Sequence, residues 1–237
     1  MPHSLEHPVI VDFPLRGSDW MAVQTPAARV PSHGSNLLGT RYAYDFLKVD
    51  RRGYFHPMGA ARGLLVGGPT RDAYAWGASI HAPFDGVVVG ASDGMTERPW
   101  IHPVREAARM VWTAATFEAS RIPSILGNYV LLRSDAGDIF AGFAHLAPGT
   151  LAVAEGQRVT TGDVLGRVGH TGNSTSPHLH FQLMDSADLM SANGIPCAFR
   201  AYLVERHGER MPVRNGIPGR RDRIASVDAR DAGAEAP

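Results

Sequence analysis
The sequence predicts a mainly β fold, an antiparallel sheet folded as a sandwich or open barrel, with one helical insertion. Two observations carry this expectation. Glycine and proline, 26 and 17 of the 237 residues, divide the chain into short β-type runs, and a single stretch departs from that pattern by repeating its apolar residues at helical spacing. The runs are PVIVDF (8–13), WMAVQT (20–25), RYAYDFLKV (41–49), DGVVVGA (85–91), NYVLLRS (128–134), IFAGFAHL (139–146), DVLGRVG (163–169) and HLHFQLM (178–184). The helical stretch, PVREAARMVWTAATFEASRI (103–122), spaces Val104, Ala107, Ala108, Val111, Trp112 and Ala115 helically behind a proline suited to a first turn. It forms the middle of an insertion over about residues 96–124, which joins HAPFDGVVVGA to GNYVLL and has Met110, Trp112 and Phe117 to bury. From about residue 216 the charged text IPGRRDRIASVDARDAGAEAP loses periodicity. The expected organisation is therefore one domain over 1–215 and a flexible tail over 216–237.

Charge and composition narrow the function classes. Lysine plus arginine equal aspartate plus glutamate at 23 each, so no net field draws the chain to nucleic acid or to an anionic membrane. No apolar run reaches the roughly 18 residues of a membrane span, and the N-terminus lacks the pattern of a signal peptide. Cys197 is the single cysteine, which precludes an internal disulfide and suits a reducing compartment. As written the chain reads as cytoplasmic, or as exported by an unrecognised route. The oligomeric state is not legible.

The chemistry concentrates in GHTGNSTSPHLHFQL (169–183). On a strand, His178, His180 and Gln182 share one face while Leu179, Phe181 and Leu183 share the other, so one face is core and the other carries imidazoles. An isolated H-x-H pair is more often a solvent-facing polar strand. Two further segments supply company. Asp45 lies in YAYDF on the face opposite Tyr44 and Phe46, where a carboxylate needs a partner, either a metal or Arg41. His145 ends a nearly all-apolar strand, a position that alone suits a hydrogen-bonded core histidine. His33 lies in the turn-rich loop before the Asp45 strand.

The order His33, Asp45, FAHL, VLGRVG and GHTGNSTSPHLHF resembles the lysostaphin and LytM-type zinc endopeptidases, peptidases of bacterial cell-wall cross-links, over roughly residues 30–185. The resemblance implies a β fold of the duplicated-hybrid-motif type. It further implies one zinc per chain on His33, Asp45 and His180, with His145 and His178 flanking the water and the substrate carbonyl as catalytic residues. In that family three residues usually separate the first histidine from the aspartate; here eleven do. Zinc held by two imidazoles and a carboxylate lowers the pKa of bound water from about 15.7 toward about 7. Histidines with pKa near 6.5 can exchange its proton or hydrogen-bond the developing oxyanion.

The implied partner is a peptide, glycine-containing or a peptidoglycan cross-link. The insertion is expected along one end of the groove, with His102 and His170 able to line it. Two rivals remain at this stage. A lipoyl-type carrier needs an acceptor lysine at a hairpin tip, and the lone lysine, Lys48, is elsewhere. A non-catalytic LytM-like module that binds peptide or a partner would lack one of the five residues. His3, His7, His56, His81 and His207 have no evident partners and read as surface or structural.

Overall fold
The computed structural model describes residues 5–116, 118–206 and 208–227. Its main element is an open twelve-stranded sheet. The central strands are Tyr44–Lys48, Leu179–Met184, Phe140–Leu146 and Asn128–Ser134, each antiparallel to its neighbour. Gly86–Ser92 and Arg158–Val159 follow on one side. On the other side lie Trp20–Gln24, Arg223–Ala225, Cys197–Arg206 and Val9–Val11. The last pair, Val9–Val11 against Cys197–Arg206, is parallel, so the sheet is mixed where the sequence led us to expect antiparallel pairing throughout. Lys48 ends a sheet strand and lies over the Trp20 ring, not at a hairpin tip.

Strict alternation builds one dry face. Tyr44, Phe46, Phe143, Leu179 and Phe181 are fully buried. Their rings pack at centroid distances of 5.5 Å for Tyr44 with Phe46, 5.4 Å for Phe143 with Phe181 and 5.8 Å for Phe46 with Phe199. Each buried aromatic contributes roughly 1.5–3 kcal/mol by area, and each such ring pair about 0.5–1.5 kcal/mol more. That layer fixes which way the intervening polar side chains must point.

Three features differ from expectation. Arg223–Ala225 lies within the segment read as a tail, yet it pairs with two strands and buries Ile224; three residues amid RRDR are too few to show a period. Residues 228–237 lie outside the described residues. The hairpin of Cys197–Arg206 and Glu209–Gly216 went unread because its second strand is mostly exposed and charged.

The third difference concerns the insertion. It forms a helix Pro103–Ala115, a 3-10 turn Ala119–Arg121 and a short helix Ile122–Leu126. Met110 and Trp112 are 45% and 68% exposed rather than buried, and Phe117 lies outside the described residues. The long helix is held by its polar side: Glu106 is buried while Val104 and Val111 face outward.

The turn at Gly172 joins this insertion to the sheet. Its φ is +67°, and a Cβ there would stand 2.5 Å from both the Gly127 nitrogen and the Ile125 oxygen, backbone atoms that cannot step aside. Gly172→Ala is expected to lower unfolding free energy by about 2–4 kcal/mol, measured by urea denaturation. A loss below about 0.5 kcal/mol would show that the close approach is not required.

Candidate metal centre
Register places the first two functional groups. His180 is the Cα partner of Asp45 on one side and of Ala144 on the other, and its Nδ1 is 2.9 Å from Asp45 Oδ1. His33 reaches the same carboxylate from the loop, with Nε2 3.1 Å from Oδ2. The long spacing to Asp45 is absorbed by a folded excursion. Ser32 N donates to Arg41 O at 2.9 Å and Ser32 Oγ to Thr40 O at 3.2 Å, closing residues 33–40 into a loop. Its turn uses left-handed Leu38 (φ 56°) and Gly39 (φ 73°). A Cβ on Gly39 would meet Met184 Cγ at 2.6 Å, so only glycine lets the excursion lie this close to the His180 strand.

One donor atom each from His33, Asp45 and His180 lies within 4.8 Å of the others. Surrounding hydrogen bonds orient both rings. Gln182 Oε1 is 2.9 Å from His180 Nε2 and accepts its proton, while Gln182 Nε2 donates to Leu38 O at 2.7 Å. That leaves His180 Nδ1 with a lone pair toward Asp45. Ser32 Oγ, 3.1 Å from His33 Nδ1, leaves His33 Nε2 facing the same point. Ligands at about 2.0–2.1 Å from a tetrahedral ion are about 3.3 Å apart; His180 and His33 stand at 2.9 and 3.1 Å from the two oxygens of Asp45, and outer hydrogen bonds of this kind are what ligating histidines require. The donor set fits zinc. Burial pushes the Asp45 carboxyl up, but His33 and His178 beside it, with the hydrogen bond from His178, outweigh this and hold it well below the usual carboxylate range.

His178 and His145 complete the cluster. His178 Nδ1 is 2.7 Å from Ser176 O, which fixes that nitrogen as the donor, and its Nε2 lies 3.5 Å from Asp45 Oδ1. His145 is set by an exception to alternation. Phe143 faces the core and Ala144 sits opposite His180, so a regular strand would send His145 inward with Phe143. Its φ of +67° turns the ring back toward the histidines, 4.9 Å from His178 and 5.9 Å from His180 between centroids. A non-glycine residue in this region stores about 1–3 kcal/mol of strain. Its Nδ1 donates to Thr171 O at 3.0 Å, which leaves Nε2 as an acceptor. Burial, with His178 and His180 nearby, holds the His145 pKa well below 6.5. For His178 burial acts downward too, but Asp45 overcomes it and raises the pKa above 6.5.

Reading the sequence alone missed the brace behind these two histidines. Arg98, from the insertion, donates through Nη1 to Gly172 O at 2.9 Å and through Nη2 to Ser174 O at 2.8 Å, while its guanidinium pairs with Glu106 at 3.0 Å. His170, expected to line the groove, is fully buried beside Arg98 and Ser174; Ser174 Oγ in turn touches His178 Nδ1 at 3.1 Å. Asn128 N donates to Thr171 Oγ1, and the Asn128 amide exchanges bonds with Met95. The only signal was the charged pair in a segment read for its apolar spacing. His102 begins the 103–115 helix. His56 bonds Pro69 O and His81 bonds Gly162 O, as structural histidines do; His7 is exposed, and His3 and His207 lie outside the described residues.

In this β domain two imidazoles and a carboxylate form a donor set able to hold a metal ion, with two further histidines beside it. The chain belongs to peptidase family M23, whose profile matches residues 71–192. That span contains His145, His178 and His180, while His33 and Asp45 precede it. Among solved structures, the chain is similar to the catalytic domain of lysostaphin from Staphylococcus simulans, with 19% identity over 81% of this chain and 94% of that one, TM-score 0.36. It is also similar to a zinc-containing peptidase from Vibrio cholerae, with 20% identity over 80% of this chain and 40% of that one, TM-score 0.34. Against a solution structure of lysostaphin the match spans 64% of this chain and 39% of lysostaphin, with 20% identity and TM-score 0.34.

Removing Arg98 would leave Glu106, whose side chain is only 4% exposed, with the half-exposed Arg109 at 3.6 Å as its remaining arginine. Arg98→Met is expected to cost about 3–5 kcal/mol of stability at pH 7, read by chemical denaturation. A neutral result would mean that the brace is not required for the fold.

Proposed function
We propose that this chain is a zinc-dependent endopeptidase, a single catalytic domain in which His33, Asp45 and His180 hold the metal and His145 and His178 are the catalytic residues. The observation that carries the reading is the convergence of two oriented imidazoles and one carboxylate beside two further histidines whose rings lie 4.9 Å apart. Zinc would supply a Lewis acid that polarises a peptide carbonyl and acidifies water near neutral pH.

The protein's own groups divide the remaining work. His145, kept neutral by burial and with Nε2 as its free acceptor, takes the proton of the attacking water and returns it to the leaving amine. His178, whose Nδ1 is held by Ser176 O, presents Nε2 toward the reacting carbonyl and in its protonated form donates from there to the oxyanion as the carbonyl becomes tetrahedral. Thr171 O and Ser176 O hold the two rings in these tautomers. The substrate is a glycine-containing peptide, cell-wall cross-links included. Supporting this, the surface beside His180 is walled closely by Tyr129, Leu131 and Met184 and by Leu126 of the insertion, which favours a residue without a bulky side chain. Among the described residues no helix is long and apolar enough to cross a membrane.

Wild-type protein is expected to hydrolyse oligoglycine peptides, to stop on treatment with a chelator and to recover with zinc. His145→Ala should lower kcat by about 10²–10⁴. Hydrolysis that survives chelation would overturn the metal reading, and zinc-loaded protein that cleaves no peptide would favour the binding-module alternative.

The pH profile has a defined sign. A base whose pKa is lowered stays neutral as pH falls past 6.5, so the acidic limb of kcat/KM should lie below about pH 6.5. A limb above that value would exclude His145 as the base.

A further inference from the structure
The insertion and the glycine-rich loop enclose a second pocket of about 360 Å³. Arg98, Arg109 and Arg121 line it together with Trp112, Ser124 and Asn173, and no carboxylate is among its described lining residues. The charge balance decides what it can hold. Arg98 is engaged with Glu106 and with the loop carbonyls. Of the other acids, Glu97 is tied to Trp76 and to the His170 backbone and feels both Arg71 and Arg98, while the Glu118 carboxylate lies outside the pocket lining and accepts from Ser120 Oγ at 3.4 Å. With Arg71, Arg98, Glu97 and Glu106 balanced, two guanidiniums remain. Arg109 lies 3.6 Å from a Glu106 oxygen that already pairs with Arg98 at 3.0 Å, and its side chain is about half exposed at 52%. Among the described residues the Arg121 guanidinium bonds a neutral acceptor, Thr116 Oγ1, at 2.9 Å.

This positive pocket lies next to the chemistry. Gly172 and Asn173 form one wall, and Thr171, the preceding residue, carries the carbonyl that holds His145. Two residues of chain span at most about 7 Å. We infer that the pocket is a subsite of the proposed peptidase for an acidic side chain or terminal carboxylate of the peptide, within about three residues of the bond cleaved. Arg109 and Arg121 supply the charge, and the hydroxyl and amide of Ser124 and Asn173 supply neutral hydrogen bonds. Guanidinium forks suit carboxylates, and the exposed Trp112 face offers the adjoining main chain an apolar platform. The inference rests on the peptidase reading for its substrate, but its binding can be read separately.

The test uses hexaglycine peptides carrying a single Glu or Gln at each position in turn. Their binding is measured calorimetrically on zinc-loaded His145→Ala protein, and their hydrolysis on the wild type. The expected result is a Glu-over-Gln preference of about tenfold in at least one register. It should fall to about twofold or less in Arg109→Gln/Arg121→Gln, persist in Arg109→Lys/Arg121→Lys and weaken as salt is raised. Arg121→Gln alone, which removes one exposed hydrogen bond, guards against misfolding of the double variant and should lose part of the preference. No Glu preference at any position, or a preference undiminished in the Gln variants, overturns the subsite. Glu-selective binding without hydrolysis would leave the subsite standing and overturn the peptidase. Hydrolysis without selectivity would do the reverse.

Discussion
The pairing of Asp45 with His180 across two antiparallel strands is the constraint on which the rest of the site depends. Both strands bury their alternate residues, Tyr44 and Phe46 on one and Leu179, Phe181 and Leu183 on the other, so neither can slip by one residue without driving a carboxylate or an imidazole into an aromatic core. The hydrophobic layer therefore holds the polar pair in place. With that pair fixed, the remaining groups need only be brought to it, and each arrives by a different device. His33 comes by a closed loop, His178 by direct continuation of the His180 strand, and His145 by one residue in a left-handed conformation.

These devices share an outer layer of hydrogen bonds. Gln182 ties His180 to the loop that bears His33, and the Thr171 and Ser176 carbonyls set the tautomers of the two catalytic candidates. The insertion reinforces that layer from behind through Arg98 and Glu106, and from the front supplies Leu126 to the cleft beside His180. Its helix is amphipathic in sequence but anchored by an ion pair through the buried Glu106, which makes it a support for the glycine-rich loop more than a contributor to the core.

Much of this was legible in the sequence because period-two patterning and residue chemistry act locally. The strands around Asp45, His145 and His180, and the sharing of one face by His178, His180 and Gln182, follow from alternation alone. The family was legible in GHTGNSTSPHLHF. What lay beyond reach depended on distance in the chain. Alternation would place His145 in the core, and only the backbone torsion reverses it. The length between His33 and Asp45 hid a loop whose closure relies on Ser32 meeting Thr40 and Arg41. Arg98 and His170 are 72 positions apart, and no spacing rule joins them. The exposed Trp112 shows the converse: helical periodicity was read correctly as a helix and wrongly as a buried face, because an ion pair took the place of apolar contact.

The most direct test of the account is the metal content of purified protein by plasma mass spectrometry, with wild type and His33→Ala prepared identically and titrated against a zinc-competing chelator. The account predicts about one zinc per chain in the wild type and an affinity lowered at least tenfold in the variant, because the loop returns His33 to Asp45 despite its spacing. Equal zinc affinity in the two proteins, or none in folded wild type supplied with zinc, would contradict it.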